Sequence, residues 1–170
     1  MVRTGYVVAA CVGIGLSCIV ALASGDIEAI APLEVLSGGW MGEGQSLGRE
    51  ARIEMTWESV LGGKFMKIAY RSEIRSRAGT TRVFEGHGYY WRAEGWGEHR
   101  GAWFDSEGER HPIEATFDGR VLLSTWGTES TKLGRTAYRL IDPATIVLVD
   151  SIRTANGTWK EFTRATLTQR

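Results

Sequence analysis

Two carboxylates stand where carboxylates are costly. Asn156-Gly157 reads as a two-residue hairpin turn, and folding the chain about it sets Thr154 opposite Trp159, Ile152 opposite Glu161, Asp150 opposite Thr163, Leu148 opposite Ala165 and Ile146 opposite Leu167. That side of the hairpin is the more apolar one, yet it carries Asp150 and Glu161. A carboxylate in a low-dielectric interior must be paired, neutralised by a raised pKa, or kept to engage something else. Three chemistries follow: a structural polar network at a wet barrel end, recognition of a ligand, or acid–base catalysis on a small molecule by an isomerase or hydrolase.

The other reactive side chains form weaker patterns. His87, His99 and His111 lack the paired i, i+4 spacing of a metal site, and strand parity separates His87 from His99; His99 and His111 remain the metal candidates, with ordinary polar or core histidines as the default. No nucleophile-elbow pattern nominates a serine. The glycine triplets Gly42-Glu-Gly44, Gly86-His-Gly88 and Gly95-Trp-Gly97 sit in strand and turn contexts rather than ahead of a helix, so they read as strand curvature rather than a phosphate loop. Asn156-Gly-Thr158 matches a glycosylation acceptor, but the hairpin turn explains it completely.

These residues must be positioned by strands. The stretch 52–73 folds about Gly62-Gly63 with Trp57 opposite Ile68 and Met55 opposite Tyr70 on one face, while the other face pairs Glu58 with Lys67, Glu54 with Arg71 and Arg52 with Glu73. A slip of one residue would lose all three charge pairs and turn the apolar row to water. About Asp118-Gly119, Phe117 is expected opposite Arg120, Ala115 opposite Leu122 and Ile113 opposite Ser124, with Trp126 next on that side. In the hairpin 83–104 one face carries Phe84, Gly86, Gly88, Tyr90, Gly97, His99, Gly101 and Trp103 and the other Glu85, His87, Tyr89, Trp91, Glu98, Arg100 and Phe104; the glycine-lined face is expected inward, where it would leave room for a ligand. Further turn signals recur at Ala78-Gly79, Glu94-Gly95, Ser106-Glu-Gly108 and Asp142-Pro143, giving about ten antiparallel strands. So many strands in sequential hairpins close most economically into an all-β up-and-down barrel over 37–170. Only 24–36 departs from this, as a linker with a short helix over Pro32 to Leu36.

Composition agrees. The 170 residues carry 22 glycines, seven tryptophans and three prolines, and a formal charge of zero offers nucleic acid no basic footprint. Tyr6 to Ala23 is uncharged, follows Arg3 and ends at Ala21-Leu-Ala23, so 1–23 reads as a signal peptide and the domain as exported, periplasmic or extracellular. The alternative is an uncleaved N-terminal anchor, the one route by which the chain would meet a membrane. Both cysteines, Cys11 and Cys18, lie in that segment, so the mature domain has neither disulfide nor thiol chemistry.

Gly39-Trp-Met-Gly-Glu-Gly44, Glu54-Met-Thr-Trp-Glu58, Gly63-Lys-Phe-Met66, Tyr70, Glu85-Gly-His-Gly-Tyr-Tyr90 and a last strand ending in Arg170 resemble the nitrobindin-like members of the calycin barrels, and most closely an uncharacterised group of exported bacterial domains. The resemblance spans about 33–170 and implies a lipocalin-like, ten-stranded barrel open at one end, in which relatives hold haem or small apolar ligands. Haem-binding nitrobindins ligate iron through a histidine of the last strand. Trp159 to Arg170 contains none, so haem is not carried over and no cofactor is expected. The function expected is a binding module for a small, largely apolar molecule, with Met55, Trp57, Ile68, Tyr70, Leu148 and Trp159 as its wall and Tyr70, Asp150 and Glu161 as polar anchors. The alternatives are an enzyme using one of the two carboxylates, and a structural or partner-binding envelope domain whose barrel is filled by its own side chains.

Overall fold

The computed structural model describes residues 31–76, 79–94 and 98–170. The expected leader, the first part of the linker and the Gly95-Trp-Gly97 triplet lie outside them. A short 3-10 helix, Ala31–Leu36, leads into ten strands: β1 (Gly38–Ser46), β2 (Arg49–Val60), β3 (Phe65–Arg75), β4 (Thr81–Arg92), β5 (Glu98–Asp105), β6 (Arg110–Phe117), β7 (Val121–Gly127), β8 (Leu133–Asp142), β9 (Thr145–Arg153) and β10 (Trp159–Gln169). Every strand pairs antiparallel with its sequence neighbours, and β1 pairs with β10, so the sheet closes as expected into an up-and-down barrel without a free edge. Among the described residues no helix is long and apolar enough to cross a membrane.

Closure needs two strands to approach tightly. Gly42 and Gly44 of β1 face Leu167 and Ala165 of β10, and a Cβ on Gly42 would lie 2.0 Å from the Thr166 carbonyl oxygen. Only glycine allows that contact.

The register of β2 and β3 is the expected one, from Arg52 opposite Glu73 to Trp57 opposite Ile68. The charges use it differently. Lys67 donates to Glu58 across the pair at 2.7 Å, whereas Arg52 bonds Glu54 on its own strand and Arg71 bridges Glu73 and, on β4, Glu85. Exposed pairs of this kind contribute little individually, so the buried Trp57–Ile68 row is the stronger determinant of register.

Two hairpins correct the expectation. Asp118 opens a four-residue loop, its Oδ1 accepting from the amides of Arg120 at 2.8 Å and Val121 at 2.7 Å. Phe117 therefore faces Leu122, Ala115 faces Ser124 and Ile113 faces Trp126. The shift is by two residues, which preserves each side chain's face. In the hairpin of β9 and β10 the turn is also wider than two residues, with Thr154 N–H bonding the Thr158 carbonyl. Trp159 consequently faces Arg153 and Glu161 faces Ser151, until a bulge at Phe162 restores Asp150 opposite Thr163 and Leu148 opposite Ala165.

The end of the barrel next to the 3-10 helix is solid. Leu33 and Leu36 are fully buried with Trp40, Ile53, Met66 and Ile68, and Trp40 Nε1 donates to the Leu36 carbonyl at 2.7 Å. Trp57 forms the floor: its ring lies 5.2 Å from that of Tyr138 at 87° and 5.5 Å from that of Tyr90. The helix thus starts one residue before the expected Pro32, in 3-10 form, as a plug.

Candidate functional site

The opposite end is hollow. It is ringed by the turns that leave β1, β3, β5, β7 and β9, and holds a cavity of about 310 Å³, near the lower end of ordinary ligand pockets. Pleat alternation aims Tyr70 of β3, Phe84 of β4, Trp103 of β5 and Trp126 of β7 into it. Tyr70 packs edge-on against Phe84 and against Trp103, each at 6.2 Å between ring centres. His111 of β6 faces the same space, 5.3 Å from the Trp126 ring.

The glycine-lined face of β4 and β5 does turn inward, with Gly86, Gly88 and Gly101 buried. It leaves less room than the sequence suggests. The Trp103 indole lies on Gly86, where a Cβ would meet its Cζ2 at 2.0 Å, and the Trp126 indole lies on Gly134 in the same way. The glycines seat two indoles flat against the wall, and the space for a ligand is what those indoles leave.

Asp150 stands at the inner part of this space. Thr136 of β8 donates to its Oδ1 at 2.6 Å and in turn accepts from Trp126 Nε1 at 3.1 Å, so the indole fixes the hydroxyl that holds the carboxylate. Asp150 is half-buried, and the area left to it faces the cavity. Burial raises its pKa from 3.8 to about 6, the Thr136 bond opposing the rise. Tyr70, Tyr90 and Tyr138 surround it, all with phenols pushed upward first by burial and further by the Asp150 charge. Tyr90 bonds Ser124 at 3.0 Å, and the Tyr90 and Tyr138 phenols lie close enough to influence each other's ionisation. These phenols are neutral donors at any physiological pH.

The mouth carries charge. Arg82 pairs with Glu107; Asp105 Oδ1 accepts from the amides of Glu107 and Glu109 at 3.0 and 3.1 Å, and its Oδ2 accepts from Trp103 Nε1 at 3.2 Å. Glu109 and Lys132 complete the rim.

Of the residues singled out from sequence, Tyr70, Leu148, Asp150 and His111 line the cavity together. Met55, Trp57 and Ile68 lie beneath it, in the solid end, and are support rather than wall. Trp159 and Glu161 are corrections. Ahead of the Phe162 bulge their parity is reversed: Trp159 lies outside under the Arg135 guanidinium at 4.5 Å, and exposed Glu161 is gripped by Arg164 at 2.8 and 2.6 Å, which holds its carboxyl below the ordinary range. Glu161→Gln is accordingly expected to leave stability within about 0.5 kcal/mol in urea unfolding; a larger loss would mean that this ion pair orders the bulge. His99 is 3% exposed on β5, opposite Ala115, and shares no site with His111. No group of three or more metal-ligating side chains occurs among the described residues.

Sequence reasoning put Phe84, Trp103 and Trp126 on inward faces without naming them as cavity wall, and did not reach Thr136 and Tyr138. The signal for Thr136 and Tyr138 was present in pairing alone: they sit opposite Asp150 and Leu148 and must share their face.

No family model matches the chain, and no curated protein matches it by sequence. Solved structures do match its fold. The crystal structure of Rv2717c from M. tuberculosis superposes with a TM-score of 0.58 at 18% identity, over 83% of this chain and 96% of that one. The S-type phycobiliprotein lyase CPES from Guillardia theta superposes with a TM-score of 0.57 at 8% identity, over 84% and 93%. At such identities the likeness is one of architecture, and it agrees with this chain's closed ten-stranded antiparallel barrel.

Proposed function

We propose that the protein is a binding module that holds one small, largely apolar molecule in the open half of its barrel. The observation that carries this reading is the cavity itself: about 310 Å³ walled by Tyr70, Phe84, Trp103 and Trp126, with the half-buried carboxylate of Asp150 facing it. A barrel filled by its own side chains would have no such space, and here only the end beside the 3-10 helix is filled. Within the calycin barrels, the short motifs from Gly39 to Tyr90 favour a nitrobindin-like relationship, and the apolar segment ending at Ala23 favours an exported protein. The reading calls on no cofactor.

The test is titration with the neutral fluorophore N-phenylnaphthylamine. Trp103→Leu and Tyr70→Leu are each expected to weaken its binding about 5-fold or more, as the loss of a stacked aromatic contact implies, while Phe104→Leu on the outer face changes nothing. Unchanged affinity in both lumen variants would place the probe elsewhere and end this assignment.

One observation favours a second reading, that of an enzyme acting on its luminal guest. Asp150 combines a pKa of about 6 with access to the cavity, the combination that suits a carboxylate to proton transfer near neutrality. Glu161 offers neither.

A further inference from the structure

Asp150 limits what the guest can be. An ionised carboxylate has about four acceptor positions, and one is taken, by Thr136. Every ion pair among the described residues lies elsewhere, on the outer surface or at the rim. Lys132 lines the mouth, yet no ion pair joins it to Asp150. A half-buried anion without a counter-charge is costly, and while it stays ionised the compensation open to this site is a positive guest.

The rest of the lumen agrees. Four aromatic side chains surround the space in front of the carboxylate, and aromatic rings stabilise a desolvated cation through their electron-rich faces. The rim adds Asp105 and Glu109 against Lys132, Arg82 being neutralised by Glu107, so the approach also disfavours anions. A bare metal ion would find no clustered set of three or more ligating side chains, none occurring among the described residues. A neutral alcohol or amide could fill one acceptor position but would leave the charge uncompensated. The volume, about 310 Å³, lies near the lower end of ordinary ligand pockets and suits a molecule of two or three rings.

We propose that the lumen takes a small protonated organic amine, its ammonium donating to Asp150 and its hydrocarbon part packed among Tyr70, Phe84, Trp103 and Trp126. This rests on the lumen-binding reading and narrows its ligand class.

The experiment is calorimetric titration of the purified protein at pH 7.5 with three probes of one shape: tryptamine, tryptophol and indoleacetate. Tryptamine should bind about 10-fold or more tightly than tryptophol, as a charge-assisted bond replaces a neutral one, and indoleacetate should bind weakest. In Asp150→Asn the preference for tryptamine should fall to about 2-fold or less, tryptophol being little changed. A second measurement needs no variant: lowering the pH from 7.5 to 5 should weaken tryptamine but not tryptophol, because the carboxylate takes up a proton. The other titratable groups facing the cavity are Tyr70, Tyr90 and Tyr138, which stay neutral over that range, and, farther out, His111, Asp105, Glu109, Lys132 and the Arg82–Glu107 pair. Repeating the pH series in His111→Gln separates the histidine's contribution.

Tryptophol binding as tightly as tryptamine, or a tryptamine preference that survives Asp150→Asn, would overturn the amine. If either occurs while N-phenylnaphthylamine still binds in a Trp103- and Tyr70-dependent way, the lumen reading stands and only the ligand class falls. If neither the fluorophore nor any of the three indoles binds, both fall.

Discussion

Trp57→Ala is expected to destabilise the protein by about 3–5 kcal/mol, read as a shift of the urea midpoint. The indole is 1% exposed and is the floor on which Tyr90 and Tyr138 rest. Its removal opens a void between the solid end and the cavity, and Tyr90 cannot sink into it freely, because it is bonded to Ser124. The cost is a large share of the ~5–15 kcal/mol that holds an ordinary domain together. Trp57→Phe should cost much less: it keeps a ring in place, and it deletes a buried indole N–H that has no hydrogen-bond partner, whose desolvation is itself unfavourable. A loss under about 1.5 kcal/mol for Trp57→Ala would show that the two ends of the barrel are not mechanically separate and that the cavity collapses inward.

The same residue shows what could be read in the sequence. Trp57 opposite Ile68 and Met55 opposite Tyr70 follow from Gly62-Gly63 and strand alternation, and the structure has both pairs. Alternation tells inside from outside but not height along the barrel axis. Four of the residues expected to line one pocket therefore divide between a filled end, with Met55, Trp57 and Ile68, and a hollow one, with Tyr70. The division is made by the 3-10 plug of Leu33 and Leu36, whose docking is a tertiary contact without a periodic signature. Glu161 was misplaced for a different reason. A bulge adds one residue to one strand and inverts parity on one side of itself, and Phe162, an ordinary aromatic in an ordinary strand sequence, carries no glycine to announce it. Asp150 lies beyond the bulge, so its inward placement survived a turn read too short. Likewise the glycines at 86 and 88 were legible as thin places in the wall, but which indole would lie on them depends on pairing with β5 that only the closed barrel specifies; Gly134, under Trp126, was not singled out at all.

Asp150→Asn should make the unliganded protein more stable at pH 7.5, by about 1–3 kcal/mol, and the gain should vanish below about pH 4. The carboxyl titrates near 6 in the folded protein against 3.8 for the free group, so the folded state binds this proton more tightly than the unfolded chain does. Its contribution to stability is fully present below pH 3.8 and is lost as pH rises through about 6, a change of roughly 3 kcal/mol at 1.36 kcal/mol per unit before allowing for water in the cavity. Asp118 and Glu161, whose pKa values are lowered, act in the opposite sense as pH falls, which is why the wild-type curve alone is not diagnostic. Both are present in the variant, and the difference between the two proteins isolates Asp150. Asparagine keeps the acceptor that Thr136 uses and removes the charge. The measurement is urea unfolding of both proteins at several values from pH 3.5 to 8. A difference that grows between about pH 4 and pH 6 and then levels off identifies a carboxylate that the fold carries at a cost, and tryptamine, by stabilising the wild type and not the variant, would identify what the cost is carried for. A variant no more stable than the wild type across the whole range would mean that Asp150 is already compensated in the free protein, and the argument for a positive guest would lose its premise.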